Sequence, residues 1–344
     1  MNSPPVPPLI HGGRRRRRYG ARLALLCLLV APLAVAGAAY LAFAANGSEH
    51  SPRPDSIAVG PAPAPKVREL PPPAPPPVEV AAVPDVPLTG VDAFHVRLRK
   101  PPRAALVFDV KTGEVLWRLR PLRRLPIASL TKIMTALVVT ERTRPSEPVR
   151  ITNAALRYTG SGVGLLPRGK RVRLETLLNG LLIVSGNDAA IALADHVSGT
   201  ERRFVRLMNR QALRWRLRCT HFASSHGLES GNRSCPRDLA VLTRMAMSRK
   251  RIRRIVRRPQ VAFRFPIKGH RLFLTGHNPL MRAGYRGTIG LKTGYTDPAG
   301  LCFVGVVRRG GHTLGVVLLH SANPTKHAER LLDAAFRYEA SRGG

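Results

Sequence analysis

Three short strings fall in order along the chain: Ser129-Leu130-Thr131-Lys132, Ser185-Gly186-Asn187 and Lys292-Thr293-Gly294. The first sets a hydroxyl and an amine three residues apart, a spacing that puts both on one face of a helix. A serine hydroxyl becomes a nucleophile when a neighbouring base takes its proton, and a lysine is such a base once burial or a second cation has lowered its pKa. In the second string a hydroxyl can relay a proton and an amide can hold a substrate amide. In the third, a lysine and a threonine near a strand end can hold a carboxylate. Together the residue types point to acyl transfer through a serine ester. Each string alone arises by chance in long chains, but all three in this order make one catalytic constellation.

The neighbours of these strings carry a resemblance. Pro126 to Thr135 (PIASLTKIMT), Ser185 to Ala190 (SGNDAA), Met208-Asn209, His226-Gly227-Leu228, Asn278-Pro279-Leu280 and Gly290 to Thr296 (GLKTGYT) with Ala299-Gly300 resemble the D-alanyl-D-alanine carboxypeptidases. These are low-molecular-mass penicillin-binding proteins, serine peptidase family S11, and the motif order is shared with class A β-lactamases. The resemblance spans about residues 96–335. It implies an α+β fold like that of penicillin-binding proteins and β-lactamases, an antiparallel sheet flanked by helices with an inserted all-helical lobe. It also implies roles. Ser129 attacks the D-Ala-D-Ala carbonyl, Lys132 is its base, and Ser185 passes the proton to the leaving amine. Asn187 holds the peptide side of the substrate, Lys292 and Thr293 bind its carboxylate, and Gly294 allows close backbone pairing. The backbone N–H groups of Ser129 and Tyr295 form the oxyanion hole. The implied partners are peptidoglycan stem peptides and, as covalent inhibitors, β-lactams, with no cofactor. A DD-endopeptidase or a non-turnover penicillin-binding sensor would use the same residues. A β-lactamase would need a deacylating glutamate, and no family-like loop supplies one.

The chain holds 56 Lys+Arg against 20 Asp+Glu, a formal net charge of +36. Such a field attracts polyanions, yet aromatic residues are only 5% and no nucleic-acid motif occurs, so a nucleic-acid partner is not expected. Arg249 to Arg258 is the densest basic run, with Ile252, Ile255 and Val256 between the charges; it reads as a solvated helix face over an aliphatic seam, with a docking patch for anionic glycan polymers as the alternative. Cys27, Cys219, Cys235 and Cys302 form no C-x-x-C pair, and no H-E-x-x-H occurs, so no metal site is expected. Cys219 and Cys235 flank a polar loop around His226 that lacks the apolar content to order itself. In an exported domain a bridge between them is the favoured arrangement, with free thiols or a bridge through Cys302 as the competitors.

Something must also position and deliver this site. Residues 1–22 are polar and basic, and residues 23–45 carry no charge. As a helix that run would extend about 35 Å, enough to cross a bilayer. The preceding arginines predict a cytoplasmic N-terminus and an extracytoplasmic catalytic domain on a single-pass anchor in a bacterial cell membrane. A cleaved signal peptide ending near Ala42-Phe43-Ala44 is the alternative. Because the chain stops soon after Lys292-Thr293-Gly294, attachment is expected from the N-terminal end. Residues 46–95 read as a proline-rich linker, with 13 prolines between Asn46 and Gly90, extended as polyproline II. The catalytic domain is expected at 96–344. It should open with a hairpin of 104–108 and 114–118, followed by a helix over 129–142 with Ser129 at its start. Helices should dominate 150–245, including 174–184, 188–196 and 201–217. Strands return at 272–274, 290–292, 301–307 and 314–319, and a helix over 324–338 closes the chain. Glu175 and Asp188 read as acidic residues in first turns of helices.

Overall fold

Strand β1 (Ala104–Asp109) is apolar almost without alternation because it is covered on both faces. In the computed structural model, which describes residues 83–342, Leu106 and Phe108 enter one core while Ala105 and Val107 enter a second. β1 folds back on β2 (Val115–Leu119). Next come β3 (Leu125–Pro126), a 3-10 turn at Ala128–Thr131 and helix α1 (Lys132–Arg142). From Lys132 to Val139 every residue of α1 is buried, so this is a core helix with no solvent stripe until its last turn.

The helical lobe follows. A ribbon of β4 (Pro148–Arg150) and β5 (Arg171–Arg173) encloses the short α2 (Asn153–Leu156). Helices α3 (Leu174–Ile183), α4 (Asn187–Ser198) and α5 (Glu201–Arg214) then pack around one another. α4 stops at Gly199, whose φ of +75° suits glycine, and α5 is capped by the Thr200 side chain, which accepts from Arg203 N–H. The chain returns through β6 (Arg233–Ser234), α6 (Pro236–Ser248) and α7 (Lys250–Val256), then the ribbon β7 (Gln260–Arg264) and β8 (Arg271–Thr275) and the single turn α8 (Pro279–Arg282). In α7, Ile252, Ile255 and Val256 are buried beneath the charges, which is the aliphatic seam read from the sequence.

The last strands β9 (Thr288–Thr296), β10 (Gly300–Arg309) and β11 (His312–Leu319) complete an antiparallel sheet of order β2-β1-β11-β10-β9, and α9 (Pro324–Arg342) ends the chain. α9 covers one face of the sheet with Leu331 and Leu332, and α1 and α6 cover the other. The architecture is the expected α+β class, an antiparallel sheet flanked by helices. β9 is an edge strand, and an edge strand offers unpaired backbone groups to an incoming extended chain.

The domain starts earlier than its expected residue 96. Val86 is only 1% exposed, Asp85 is paired with Arg237 at 2.9 Å, and Ala93 N–H donates to Leu116 at 2.8 Å. Residues 83–95, read as the end of the linker, therefore lie along the domain. Their apolar residues, Val83, Val86, Leu88, Val91, Ala93 and Phe94, keep no single period that would reveal it. The segments 1–22, 23–45 and 46–82 lie outside the described residues. Among the described residues no helix is long and apolar enough to cross a membrane.

Candidate active site

Ser129 does not sit within the first turn of an α-helix, as the spacing predicts, but in the 3-10 turn before it. That difference matters, because at three residues per turn positions i and i+3 eclipse. Lys132 Nζ accordingly lies 3.0 Å from Ser129 Oγ. Lys132 is wholly buried, and Nζ also donates to Asn187 Oδ1 and to the His226 carbonyl, each at 2.7 Å. Both of those oxygens can only accept. When Lys132 is neutral they take its two N–H bonds, and the lone pair is left facing the Ser129 hydroxyl. Burial pulls the Lys132 pKa well below its ordinary value, and the Lys292 charge pushes it the same way. Asp188, Glu229 and Glu201 oppose that shift. The seat therefore favours a neutral amine aimed at Ser129.

A second serine–lysine pair faces the first. Ser185, at the turn between α3 and α4 with φ +62°, accepts from Lys292 Nζ at 3.0 Å. Lys292 also donates to Thr293 O at 2.8 Å, and burial brings its pKa down to about 7. Gly294 follows on the edge strand. A Cβ there would stand 3.0 Å from Ile127 O and from Ser129 N, so a side chain at this position would press β9 away from the 3-10 turn. Ser129, Ser185, Thr293, Gly294 and Tyr295 line one cleft of about 390 Å³, with Leu301 and Phe303 as apolar wall. Lys132, Lys292 and Asn187 are buried behind it.

The remaining supports were not legible as such. Asn187 Nδ2 donates to Thr159 O at 2.6 Å and its backbone N–H to Ser161 O at 2.8 Å. Asp188 lies in the first turn of α4, as expected, and also receives Val163 N–H at 2.8 Å and Gly164 N–H at 2.9 Å. These bonds hold the glycine-rich stretch 159–164 against the site, where Ser161 joins the cleft wall. Its glycines signal a loop but not which surface the loop covers. Glu175 lies in the first turn of α3 and pairs with Arg251.

The His226 carbonyl reaches Lys132 through a loop closed by a Cys219–Cys235 disulfide, while Cys302 is a buried free thiol raised to about 11 by burial. Within the loop, Ser225 O accepts from Thr135 Oγ1 at 2.6 Å, and Glu201 accepts from the Ser225 N–H and hydroxyl. Gly227 has φ +97°, and a Cβ on it would meet Ala128 O at 2.1 Å, so glycine is required. The sulfurs of Cys219 and Cys235 lie near the Asp238 carboxylate, a grouping of possible metal ligands. The sulfurs are bonded to each other, and Asp238 accepts from Cys219 N–H and the Thr220 hydroxyl.

This fold recurs in known proteins. The family model for D-alanyl-D-alanine carboxypeptidase, peptidase S11, matches residues 99–323. The chain belongs to this family. Its relatives include D-alanyl-D-alanine carboxypeptidase DacF of Bacillus subtilis, 31% identical over 69% of this chain and 63% of that protein. DacD of Escherichia coli is 32% identical over 62% of this chain and 57% of its own length. The chain thus spans about three fifths of the length of these curated relatives. Among solved structures, the D-alanyl-D-alanine carboxypeptidase of Mycobacterium tuberculosis superposes with TM-score 0.67 at 30% identity, covering 72% of this chain and 96% of that one. The Streptomyces K15 DD-transpeptidase gives TM-score 0.67 at 28% identity, covering 71% of this chain and all of that one. The penicillin-binding-protein-like fold expected from the motifs is therefore the fold of this S11 member.

Proposed function

We propose that this S11 member is a serine-type D-Ala-D-Ala carboxypeptidase that trims peptidoglycan stem peptides and is acylated by penicillins. The observation that carries the reading is the Lys132 seat, in which two carbonyl oxygens fix the amine so that its free position faces Ser129 Oγ. The peptide backbone lies along the open edge of β9, with its terminal carboxylate at Lys292 and Thr293 and its inner amide at Asn187. Lys132 takes the hydroxyl proton as Ser129 Oγ bonds to the carbonyl carbon of the penultimate D-alanine. The backbone N–H groups of Ser129 and Tyr295 receive the negative oxygen, a contribution of about 3–4 kcal/mol for such a donor. The carbon–nitrogen bond then breaks as Ser185 passes the proton gathered by Lys132 to the departing D-alanine nitrogen, its own hydroxyl being replenished in the same transfer, which leaves Lys132 neutral again. Lys132 then takes a proton from the water that attacks the ester carbon, the acyl–Oγ bond breaks, and that proton returns to Ser129 Oγ.

We further propose that residues 23–45 anchor the chain in the membrane with the domain outside the cell, which would bring this site to its polymer. The test of the activity is D-alanine release from a diacyl-D-Ala-D-Ala peptide by the full chain. Repeated turnover supports the reading. Release only from cross-linked dimers would replace it with an endopeptidase, and a single stoichiometric acylation without turnover would make the domain a sensor.

A further inference from the structure

A second and larger concavity, a groove of about 1520 Å³, lies at the other end of β9 from the catalytic strings, between that strand, the end of β10, α6 and α7. From Thr288 to Gly294 the strand extends about 20 Å at some 3.3 Å per residue, so the groove and the cleft are separate sites. No lining residue of the groove is acidic and none is aromatic.

Its cations divide into two sets. Arg244 is spent on structure, donating to the carbonyls of Asp85, Val110 and Lys111. Arg309 is likewise occupied, paired with Asp333 at 3.3 Å and stacked 4.1 Å from the Tyr285 ring centroid. Lys111, Arg253, Arg257, Arg286 and Arg308 have no carboxylate partner among the described residues; Arg253 and Lys111 each donate to one carbonyl, of Met247 at 2.8 Å and of Gly311 at 3.4 Å. Lys250 and Arg254 extend the same surface beside Arg253 and Arg257. The catalytic cleft, by contrast, has no lysine or arginine in its lining. The groove thus gathers seven lysines and arginines with no acidic residue in its lining.

Residues 46–82 do not balance this excess in charge, holding four acidic residues (Glu49, Asp55, Glu69, Glu79) against three basic ones (Arg53, Lys66, Arg68). Guanidinium forks match phosphate oxygens better than a point cation does. A concave groove admits a chain, whereas a bilayer is flat. Without an aromatic platform the groove has nothing on which nucleic-acid bases would stack.

We propose that this groove binds a linear phosphodiester polymer of polyol or sugar phosphates and so holds the catalytic cleft beside its substrate. Tethering of this kind raises the local concentration of substrate without touching the chemistry.

The experiment uses the full chain and fluorescently labelled poly(glycerol phosphate), with binding read by anisotropy at about 0.15 M ionic strength. The wild type is expected to bind, with affinity falling steeply as salt rises. The triple variant R257E/R286E/R308E should bind about 100-fold more weakly, because its reversed charges repel the same phosphates. R202E/R206E/R210E on α5 makes the same net charge change away from the groove and should keep most of the affinity. Acylation by fluorescent penicillin should be unchanged in both, which verifies folding and separates this result from the fate of the carboxypeptidase reading. If the first triple fails to label, R257Q/R286Q/R308Q is used in its place, with a loss of about tenfold expected. Equal binding by the groove variant and wild type, or equal losses in the two triples, would overturn the proposal. So would tighter, groove-dependent binding to phosphatidylglycerol vesicles, which would assign the groove to a lipid surface.

Discussion

The two serine–lysine pairs of the site have the same contact length and opposite origins. Ser129 and Lys132 are three residues apart, and a single tight turn brings them to 3.0 Å. Ser185 and Lys292 are 107 residues apart and reach 3.0 Å only because the helical lobe folds against the edge of the sheet. Lys132 is locked by two further acceptors, including the His226 carbonyl. Among the described residues Lys292 has a single other partner, the Thr293 carbonyl, and its charge stands behind the cleft where a carboxylate would arrive. The first pair is built to exchange a proton with a fixed neighbour. The second is built to respond to what enters.

That contrast can be broken experimentally, and the largest effect lies in the first pair. Ser129→Ala should abolish labelling by fluorescent penicillin, and persistent labelling at another residue would remove Ser129 as nucleophile. Lys132→Arg keeps the cation but cannot supply a neutral amine, so the acylation rate should fall by about 10³-fold or more, within the range of a lost general base. Retention of near-normal acylation would show that charge, not proton acceptance, is what position 132 supplies.

In the second pair, Ser185→Ala should slow acylation by about 100-fold while penicillin still labels Ser129. Lys292 sharpens the distinction through pH. Its pKa in the free protein is lowered to about 7 by burial, so its positive charge is present below that pH and lost above it. KM for a D-Ala-D-Ala peptide should therefore rise as pH climbs through about 7. In Lys292→Arg, which stays charged, that alkaline rise should disappear even if the overall affinity drops. A wild-type KM that is flat from pH 6 to 9 would take Lys292 out of carboxylate recognition.

The smallest effect on chemistry is expected from the disulfide. Cys219→Ser with Cys235→Ser removes a closure of 16 residues, worth about 3 kcal/mol in the chain-entropy model. The loop it closes carries the carbonyl that seats Lys132 and makes no bond to Lys292. Thermal unfolding should shift down by several degrees, and acylation at room temperature should change by less than about tenfold. An unchanged melting temperature would mean that the hydrogen bonds of Ser225, and those Asn232 Oδ1 accepts from the Ala223 and Ser224 N–H groups, already hold the loop.

How much of this was legible follows the same division. The local pair, the first hairpin and the strands of the sheet's far half can be read from spacing and periodicity, since each depends on neighbours in sequence. The second pair was legible only as two strings in order. That Ser185 and Lys292 meet is a property of lobe against sheet, to which no periodicity points. The 3-10 turn at Ala128–Thr131 reads as helix because the two share their residue preferences. Val83, Val86 and Leu88 read as linker because prolines surround them and they keep no period. Asp188 shows the limit from another side: its position in a helix's first turn was visible, but the Val163 and Gly164 amides it holds lie some 25 residues away.

Ser185 and Ala128 both occupy the left-handed region, with φ of +62° and +46°, where glycine is the residue that fits without strain. Neither is glycine: Ser185 belongs to the second pair, and Ala128 directly precedes Ser129 of the first. Selection for stability alone would drift towards Ser185→Gly, a substitution that relaxes the turn and deletes the hydroxyl held by Lys292. In a library sorted first for thermostability and only afterwards for acylation, glycine should therefore rise at position 185 in the first round and vanish in the second, a trade between durability and activity written into a single backbone angle.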